Sequence, residues 1–519
     1  MQIVLLVWGV PVLLSILFGL LLVREIRAQR GKLAAASIRP SAAFKGKKES
    51  LMSRSYSRAT WLIIGLWLLF CLATINYNGP FFDESIYITA GQRTLEGHGY
   101  TDGYLVWFAG SLLWPMLAAV GYKVAGLIGT RIVALILATI AFVAVVQAAH
   151  NLFGQKASFW TATALATNGP FTALARLGVI DLPALAGIAV SFWAITELAK
   201  KDDRKWLLLA TVAFTMGMFG KYPMGLMLFP IVGVVFILRK EKALMDVVMF
   251  GLVSSAITLA FYLPGREQLS QFIGWTLANK PTFDVTPLMV GFSILYLSGA
   301  PSLLALSGWF IARDKRGLAS VLLLSLAIWP VYHLLSGNPV GREKHLVFGF
   351  LFAYPLVGFA LATMWESWRR KAVAVAVILA LAVLGFIQLD RLNRAWPDVR
   401  EAASYLTAQV QPGQKLLINE SWPYTMYLYT EGRIHSPWDV FDAYRITDGQ
   451  SKIGLCEYDW FVDVQGSYEW PESILETVQQ CGDFQPVFST TSPVVGLGID
   501  LDFVAYPVHT TIWQNTSRK

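Results

Sequence analysis

Long apolar segments separated by short polar loops dominate the first three quarters of this chain. Each segment is about as long as a helix must be to cross the hydrocarbon core of a bilayer, and 55% of the 519 residues are hydrophobic. A soluble core does not need so many long apolar runs, so the pattern predicts a polytopic α-helical membrane protein. The twelve predicted spans are residues 3–23, 61–75, 129–149, 159–174, 182–198, 206–219, 224–238, 247–263, 288–311, 318–335, 346–364 and 372–389.

The apolar stretch 104–126 fits either a span or an interfacial helix, because Trp107, Trp114 and Tyr122 suit the headgroup region. The basic clusters decide between the two. If 104–126 lies on the outer surface, every cluster falls on the same side as the basic linker 24–59, as the positive-inside rule requires. We therefore expect twelve spans with both termini outside. The clusters lie at residues 200–205, 239–242, 313–316 and 369–371.

Charge is distributed unevenly along the chain. Residues 390–519 carry 9 basic and 17 acidic side chains, a net charge of −8, so the first 389 residues carry +16 within an overall charge of +8. This split is typical of a basic cytoplasmic face joined to an acidic external domain, and it does not indicate nucleic-acid binding. Four parts are predicted. They are an extra transmembrane helix (1–23), retained because it lacks a basic n-region and a cleavage site, a basic cytoplasmic linker (24–59), a transmembrane domain (60–389) and an extracytoplasmic α/β domain (390–519).

The tail alternates helical patterns with short apolar runs, which favours a small α/β fold. Strands are predicted at 416–419, at 460–464 and near Val487 and Phe503, with helices at 397–408 and 472–480. Cys456 and Cys481 form either a disulfide, worth about 3–4 kcal/mol for a loop of that length, or two free buried thiols. The tail carries no catalytic constellation, so we expect it to cap the site or select the acceptor.

Ionisable residues of both signs gather in the loops that this topology places outside. Asp83 and Glu84 come shortly after the span 61–75. Acids at membrane depth are costly, which points to function; the alternative is that they end a helix and face water. Arg131, at the start of a span, is expected to be a snorkelling anchor at the outer interface. The other external groups are Asp102, Asp181, Lys221, Arg266, Lys280 and residues 342–345.

Five ordered segments carry a family resemblance over residues 60–365. The chain resembles the GT-C superfamily of membrane glycosyltransferases, most closely the branch of the lipid A aminoarabinose transferases and protein O-mannosyltransferases. The resemblance implies an inverting transfer of a sugar from a polyprenyl-phosphate donor to a lipid, glycan or protein acceptor on the outer face of a bacterial inner membrane. The segments are residues 82–87 (FDESIY), 129–131 (GTR), 176–183 (RLGVIDLP), 216–223 (MGMFGKYP) and 342–345 (REKH).

Roles for single residues follow from what such a transfer needs. An inverting displacement needs a base for the acceptor hydroxyl; Asp83 heads the acidic pair and is the expected base, and Glu84 would orient it or the acceptor. Asp181 would steer the reacting ends or bind a cation. The leaving group is a phosphate, which positive charge must meet. The expected phosphate-binding residues are Lys221, Arg342, Lys344 and His345.

Asp102 is the expected metal ligand. Related aminoarabinose transferases have Glu-Lys-Pro at the equivalent place, whereas this chain has the shorter acid and lacks the lysine and proline. Oxygen ligands favour Mg²⁺ or Mn²⁺. A divalent ion of this kind is therefore the expected cofactor.

A transporter or flippase of a lipid-linked sugar is the competing class. It would share the spans and the anionic-lipid site. It should also contain internal repeats, broken midplane helices and charges within spans, whereas here no repeat is visible and the charges lie in loops. The sequence therefore favours the enzyme.

Overall fold

The computed structural model describes residues 51–98, 111–278, 286–338, 340–365, 368–441, 456–465, 476, 478, 480, 481, 483–495 and 505–518. The predicted helix 3–23 and most of the linker 24–59 lie outside these residues, as do Asp102 and Lys280. Helices dominate up to Asn393. They are α1 (Leu51–Ala73), α2 (Phe82–Leu95), α3 (Leu113–Phe153), α4 (Gln155–Ala166), α5 (Gly169–Ala175), α6 (Asp181–Lys201), α7 (Arg204–Gly220), α8 (Leu228–Arg239), α9 (Ala243–Ala278), α10 (Pro287–Ile311), α11 (Arg316–Leu324), α12 (Ile328–Ser336), α13 (Arg342–Met364) and α14 (Trp368–Asn393).

Within the described residues, eight helical stretches are long and apolar enough to cross a membrane. The multi-pass α-helical prediction is therefore confirmed, while the number twelve stays a prediction. The predicted spans 224–238 and 247–263 correspond to α8 and α9, which are separated at Lys240, where φ is +49°, and the predicted span 159–174 is divided between α4 and α5. Helix α7 has only 17 residues. Helix length and breaks, which hydropathy reports poorly, account for these differences.

Helix α3 contains a break at the end of the predicted surface stretch 104–126. Its 41 residues would extend about 60 Å if straight. Gly126 instead has φ +60° and ψ −149°, outside the helical region, which glycine reaches at low cost because it has no Cβ. Residues 113–124 and 127–153 are thus two helical segments, and the boundary that the sequence predicted at Gly126 is a backbone break. The position of the first segment relative to the membrane stays a prediction.

The chain divides into two compact units. The first unit contains residues up to Cys71, together with Ile136–Leu174 and Asp181–Phe386. Its centre is α13, which is buried along most of its length and packs against α4 and α10. Helices α6 and α7 form a close pair in the same unit. A Cβ on Gly187 would lie 2.3 Å from the carbonyl oxygen of Ala213, so this contact depends on glycine.

The second unit contains Leu72–Leu135, Ala175–Ile180 and Ile387–Lys519. Its C-terminal part has helices α15 (Arg400–Gln409) and α16 (Ser421–Thr430) and one five-stranded sheet. The sheet order is β2–β1–β3–β5–β4, parallel among the first three strands and antiparallel among the last three. The strands are β1 (Leu416–Ile418), β2 (Val440–Phe441), β3 (Trp460–Val464), β4 (Phe484–Val495) and β5 (Ala505–Asn515).

The predicted α/β character of the tail is confirmed. The strand predicted at 460–464 is β3, and the one at 416–419 is β1 with one residue fewer. One core cluster covers the inner face of the sheet, where Leu416, Val462 and Ile512 are fully buried. Cys456 and Cys481 are joined by a disulfide, which decides between the two alternatives. The predicted domain limits at 59/60 and 389/390 stay predictions.

Candidate functional site

The acidic pair lies in the first turn of α2. Phe81 is the extended residue before the helix, and its backbone N–H donates to Oε2 of Glu84 at 2.8 Å. Carboxylates at this position are stabilised by the positive end of the helix dipole. The two acids differ in access, because Asp83 is half-buried and Glu84 is fully buried. Asp83 is therefore the member of the pair that a substrate can reach more readily.

Glu84 is held by Arg131. The arginine donates through Nε to Oε1 at 3.0 Å and through Nη2 to Oε2 at 2.9 Å, and neither side chain is exposed. The backbone N–H of Gly178 also donates to Oε1, at 2.7 Å. With Phe81, the two carboxylate oxygens accept four hydrogen bonds. Glu84 thereby joins the start of α2 to α3 and to the segment before α6.

Arg131 is a buried structural cation, so the expectation of a snorkelling anchor is wrong. Its remaining three N–H groups donate to the carbonyl oxygens of Ile75, Asn78 and Gly79 at 2.8–3.1 Å. All five donors of the guanidinium thus have acceptors, which is what a charge without water requires. Position at the start of a span suggested snorkelling, but the turn after α1 provides enough carbonyls to bury the charge.

Tyr77 lies beside two arginines in this cluster. The guanidinium carbons of Arg131 and Arg176 are 4.5 and 4.8 Å from its ring centroid, within the range of cation–π attraction. Arg176 also donates to the carbonyl and hydroxyl of Thr74 and to Asn393. Burial raises the pKa of Tyr77 to about 12, an effect that the charge of Arg131 opposes. The phenol is therefore neutral at physiological pH.

Asp181 and Lys221 form a second ion pair, in the first unit. Asp181 begins α6 and Lys221 directly follows α7, so the close pairing of these helices brings the two side chains together. Nζ of Lys221 lies 2.6 Å from Oδ1, and the side chains are 14% and 1% exposed. Oδ2 of Asp181 is buried and has no hydrogen-bond partner among the described residues. This oxygen therefore has an unused capacity to accept a hydrogen bond.

The first turn of α13 carries the other predicted phosphate-binding residues. Arg342 and Lys344 are buried, and Nε of Arg342 donates to Oγ of Ser293. Nδ1 of His345 lies 3.1 Å from Nε2 of His333, a residue that was not among the predicted site residues. Lys221 is close enough to both histidines to interact with them electrostatically. His333 could have been found as an ionisable residue inside a predicted span.

The structure thus arranges the candidate residues in two groups. Asp83 and Glu84 belong to the second unit, and Asp181, Lys221, Arg342, Lys344 and His345 belong to the first. The catalytic and phosphate-binding roles of these residues stay predictions. The described residues contain no group of three or more histidine, cysteine, aspartate or glutamate side chains that could hold a metal ion. The expected ligand, Asp102, is outside the described residues, so the metal also stays a prediction.

Known proteins share this architecture. Residues 111–265 match the family described as dolichyl-phosphate-mannose-protein mannosyltransferase. The crystal structure of ArnT from Cupriavidus metallidurans in the apo state is similar with a TM-score of 0.57 at 14% identity, covering 89% of this chain and 99% of that one. The same protein bound to undecaprenyl phosphate gives a TM-score of 0.55 at 14% identity, covering 86% and 97%. No curated protein sequence matches significantly.

These likenesses concern the fold, since 14% identity is too low to carry more. They cover nearly the whole of ArnT and most of this chain, and the family match falls on the segments that include Arg131, Asp181 and Lys221. The resemblance to the GT-C superfamily of membrane glycosyltransferases is therefore confirmed, and the chain has the GT-C fold.

Proposed function

We propose that the protein is an inverting glycosyltransferase that moves a sugar from a polyprenyl-phosphate donor to an acceptor on the outer face of the membrane. One observation carries the proposal: four basic side chains gather in one unit at helix ends, namely Lys221, which is paired with Asp181, and Arg342, Lys344 and His345. Basic side chains in low-dielectric surroundings favour an anion strongly, and arginine and lysine are common ligands of phosphate groups. The undecaprenyl phosphate bound to ArnT, which has the same fold, supports this choice.

The reaction divides into a base side and a leaving-group side. Asp83 accepts the proton of the acceptor hydroxyl as its oxygen attacks the anomeric carbon. The bond between that carbon and the phosphate oxygen breaks, and the phosphate keeps the bonding electrons. Lys221, with Arg342, Lys344 and His345, stabilises the charge that develops on the phosphate. Attack from the face opposite the leaving group inverts the anomeric configuration.

Glu84 contributes to the base side by positioning Asp83. Its two oxygens are engaged by Arg131, Gly178 and Phe81, which leaves little capacity for a proton from the acceptor. It fixes the first turn of α2 and so the direction of Asp83. Asp181 presents Oδ2 to a hydroxyl of the donor or the acceptor, and a Mg²⁺ or Mn²⁺ at Asp102 remains part of the proposal.

The proposed location is a bacterial inner membrane, with residues 390–519 outside the cytoplasm. The positive-inside pattern of the basic loops supports this orientation. The disulfide Cys456–Cys481 supports it as well, because such bonds persist in oxidising compartments. The partners are then the lipid-linked donor, the surrounding lipids and an envelope acceptor. The acceptor is a lipid, a glycan or a protein.

A transfer assay with Asp83→Asn tests the proposal. The protein is reconstituted in vesicles with radiolabelled undecaprenyl-phosphate sugars and envelope acceptors, and incorporated label is counted. Loss of a general base should slow transfer about 10²- to 10⁴-fold, while Asp314→Asn, at an exposed aspartate of a basic loop, should transfer normally. Normal transfer by Asp83→Asn removes the assigned base. A wild type that moves the lipid-linked sugar across the vesicle membrane without transferring it indicates a flippase instead.

A further inference from the structure

Two histidines of the first unit are hydrogen-bonded to each other. His333 on α12 is fully buried, and its Nε2 lies 3.1 Å from Nδ1 of His345 on α13. The rings are nearly parallel, with centroids 5.1 Å apart and an interplanar angle of 24°. Trp329 packs against His345 with ring centroids 4.5 Å apart. This packing holds the pair in one geometry.

The backbone decides where the protons of this pair are. Nδ1 of His333 is 2.6 Å from the carbonyl oxygen of Asn338, and a carbonyl can only accept, so this nitrogen carries a hydrogen. In a neutral imidazole the other nitrogen is then an acceptor. Nε2 of His333 therefore accepts from Nδ1–H of His345. As long as the pair is neutral, Nε2 of His345 has no hydrogen.

Nε2 of His345 is the end of this chain of hydrogen bonds. No described residue donates to it or accepts from it, and Gly341 places no side chain beside it: a Cβ there would lie 3.5 Å away. The charged and titratable groups that act on His345 are Lys221, Lys344 and His333, and Arg342 and Lys221 act on His333. The charged groups that act directly on the two histidines are cationic; of the nearby acids, Asp181 is paired with Lys221 and Glu343 acts on Arg342. With three cations and two acids, the surroundings carry a net positive charge, which favours an anion.

We propose that His333 is a positioning residue that couples donor binding to the uptake of one proton by His345. This inference rests on the proposed function, which supplies the phosphate. A phosphate oxygen needs a hydrogen at Nε2 of His345, and the tautomer imposed by His333 provides none. One proton must therefore come from solvent when the phosphate binds. The resulting imidazolium donates Nδ1–H to His333 and Nε2–H to the phosphate, and its charge offsets that of the ligand.

The histidine pair acts on the leaving-group side of the transfer. While the bond between the sugar and the phosphate breaks, the phosphate oxygen takes the bonding electrons and its negative charge grows. The hydrogen bond from Nε2–H strengthens with that charge. His333 does not touch the phosphate. It keeps the imidazolium oriented by accepting from Nδ1–H and passes no proton itself.

Binding of undecaprenyl phosphate to the detergent-solubilised full chain tests the proton coupling without needing turnover. The dissociation constant is measured between pH 7.5 and 9, where the second ionisation of a phosphate monoester is complete, since its pKa is about 6. For the wild type we expect the dissociation constant to rise with pH, by up to about tenfold per unit for one linked proton. In His333→Phe no acceptor fixes the hydrogen of His345 on Nδ1. A neutral His345 can then carry its hydrogen on Nε2 and donate it to the phosphate. The pH dependence should then flatten.

Two further variants separate positioning from packing. His333→Gln offers an amide oxygen near the place of Nε2 and should restore the wild-type pH dependence, whereas phenylalanine preserves ring shape alone. On a His345→Ala background, His333→Phe should change the dissociation constant less than twofold. An unchanged pH dependence in His333→Phe, or additive effects in the double variant, overturns the proposal. A wild type that binds undecaprenyl phosphate with the expected pH dependence but transfers no sugar overturns the enzyme proposal and leaves the proton coupling standing.

Discussion

Arg131 holds Glu84 through two N–H···O bonds of 3.0 and 2.9 Å, and both side chains are inaccessible to solvent. The pair also satisfies five backbone groups: two N–H groups bind the carboxylate, and three carbonyls accept from the guanidinium. Burying two charges is expensive unless their hydrogen bonds are complete. Here the hydrogen bonds of both side chains are complete, so the pair holds the turn that precedes Asp83 in place.

We expect Arg131→Ala to lower the free energy of unfolding by about 3–5 kcal/mol, because Glu84 would remain as a buried uncompensated charge. Arg131→Lys should also be destabilising, since an ammonium cannot reach five acceptors arranged around a planar fork. Thermal unfolding of the detergent-solubilised protein measures both effects. Arg266→Ala removes an exposed arginine and is the matched control.

The double variant Glu84→Met/Arg131→Met distinguishes the contribution of the ion pair to stability from that of its hydrogen bonds to the backbone. A buried pair exchanged for apolar side chains is often neutral or stabilising. In this chain the exchange leaves backbone groups without partners, each costing about 1–3 kcal/mol. The double variant should therefore remain less stable than the wild type. Full recovery of stability would show that these backbone groups find other partners.

Gly91 of α2 cannot accept a side chain. A Cβ there would lie 1.8 Å from the carbonyl oxygen of Pro115 and 2.8 Å from Cβ of Ala119. Gly91→Ala should push α2 away from α3, destabilise the protein by about 1–3 kcal/mol and lower transfer by displacing Asp83. Gly65→Ala is the control, because no atom lies within 4 Å of its added Cβ; a helix favours alanine there by up to about 1 kcal/mol. Equal melting temperatures for the two variants would contradict the close contact.

Local pattern predicts much of this fold. The apolar run around Trp460–Val464, between turn residues, predicts β3, and the long apolar segments predict most of the membrane helices. The break inside the apolar segment 159–174 was not predictable in the same way. Asn168 accepts from the N–H of Phe171 at the start of α5, and an asparagine within a hydrophobic run does not by itself indicate such a cap.

The sequence predicted which charged residues the candidate site contains, but not which of them contact each other. Sequence order gives Asp181 and Lys221 separately, but their contact depends on how α6 and α7 pack. Arg131 and His333 were misjudged or missed for a related reason. The groups that they contact, such as the carbonyl of Gly79 and Nδ1 of His345, come from other parts of the chain.

The disulfide should be a measurable part of the stability of the tail. Cys456 and Cys481 are 25 residues apart, and closing a loop of that length contributes about 3–4 kcal/mol in the chain-entropy description. Cys456→Ser/Cys481→Ser, or reduction of the wild type, should lower the melting temperature of the intact protein. Cys71 is buried, so Cys71→Ser reports a change of packing instead. A melting temperature that is insensitive to reductant would show that the bond contributes nothing to the folded state.

Asp463 on β3 should make the stability of the protein depend on pH in the acidic range. Burial raises the pKa of its carboxyl above the ordinary value, partly opposed by a hydrogen bond from Gln465. A raised carboxyl pKa means that the folded state resists ionisation, so this group lowers stability as the pH rises from the unfolded value through the folded one. Asp463→Asn removes the charge and should raise the melting temperature at pH 7, with a smaller gain at pH 4. Glu431→Gln, at an exposed position after α16, should give no such difference. If Asp463→Asn lowers the melting temperature at both values of pH, the carboxylate stabilises the folded state through contacts that outweigh the effect of burial.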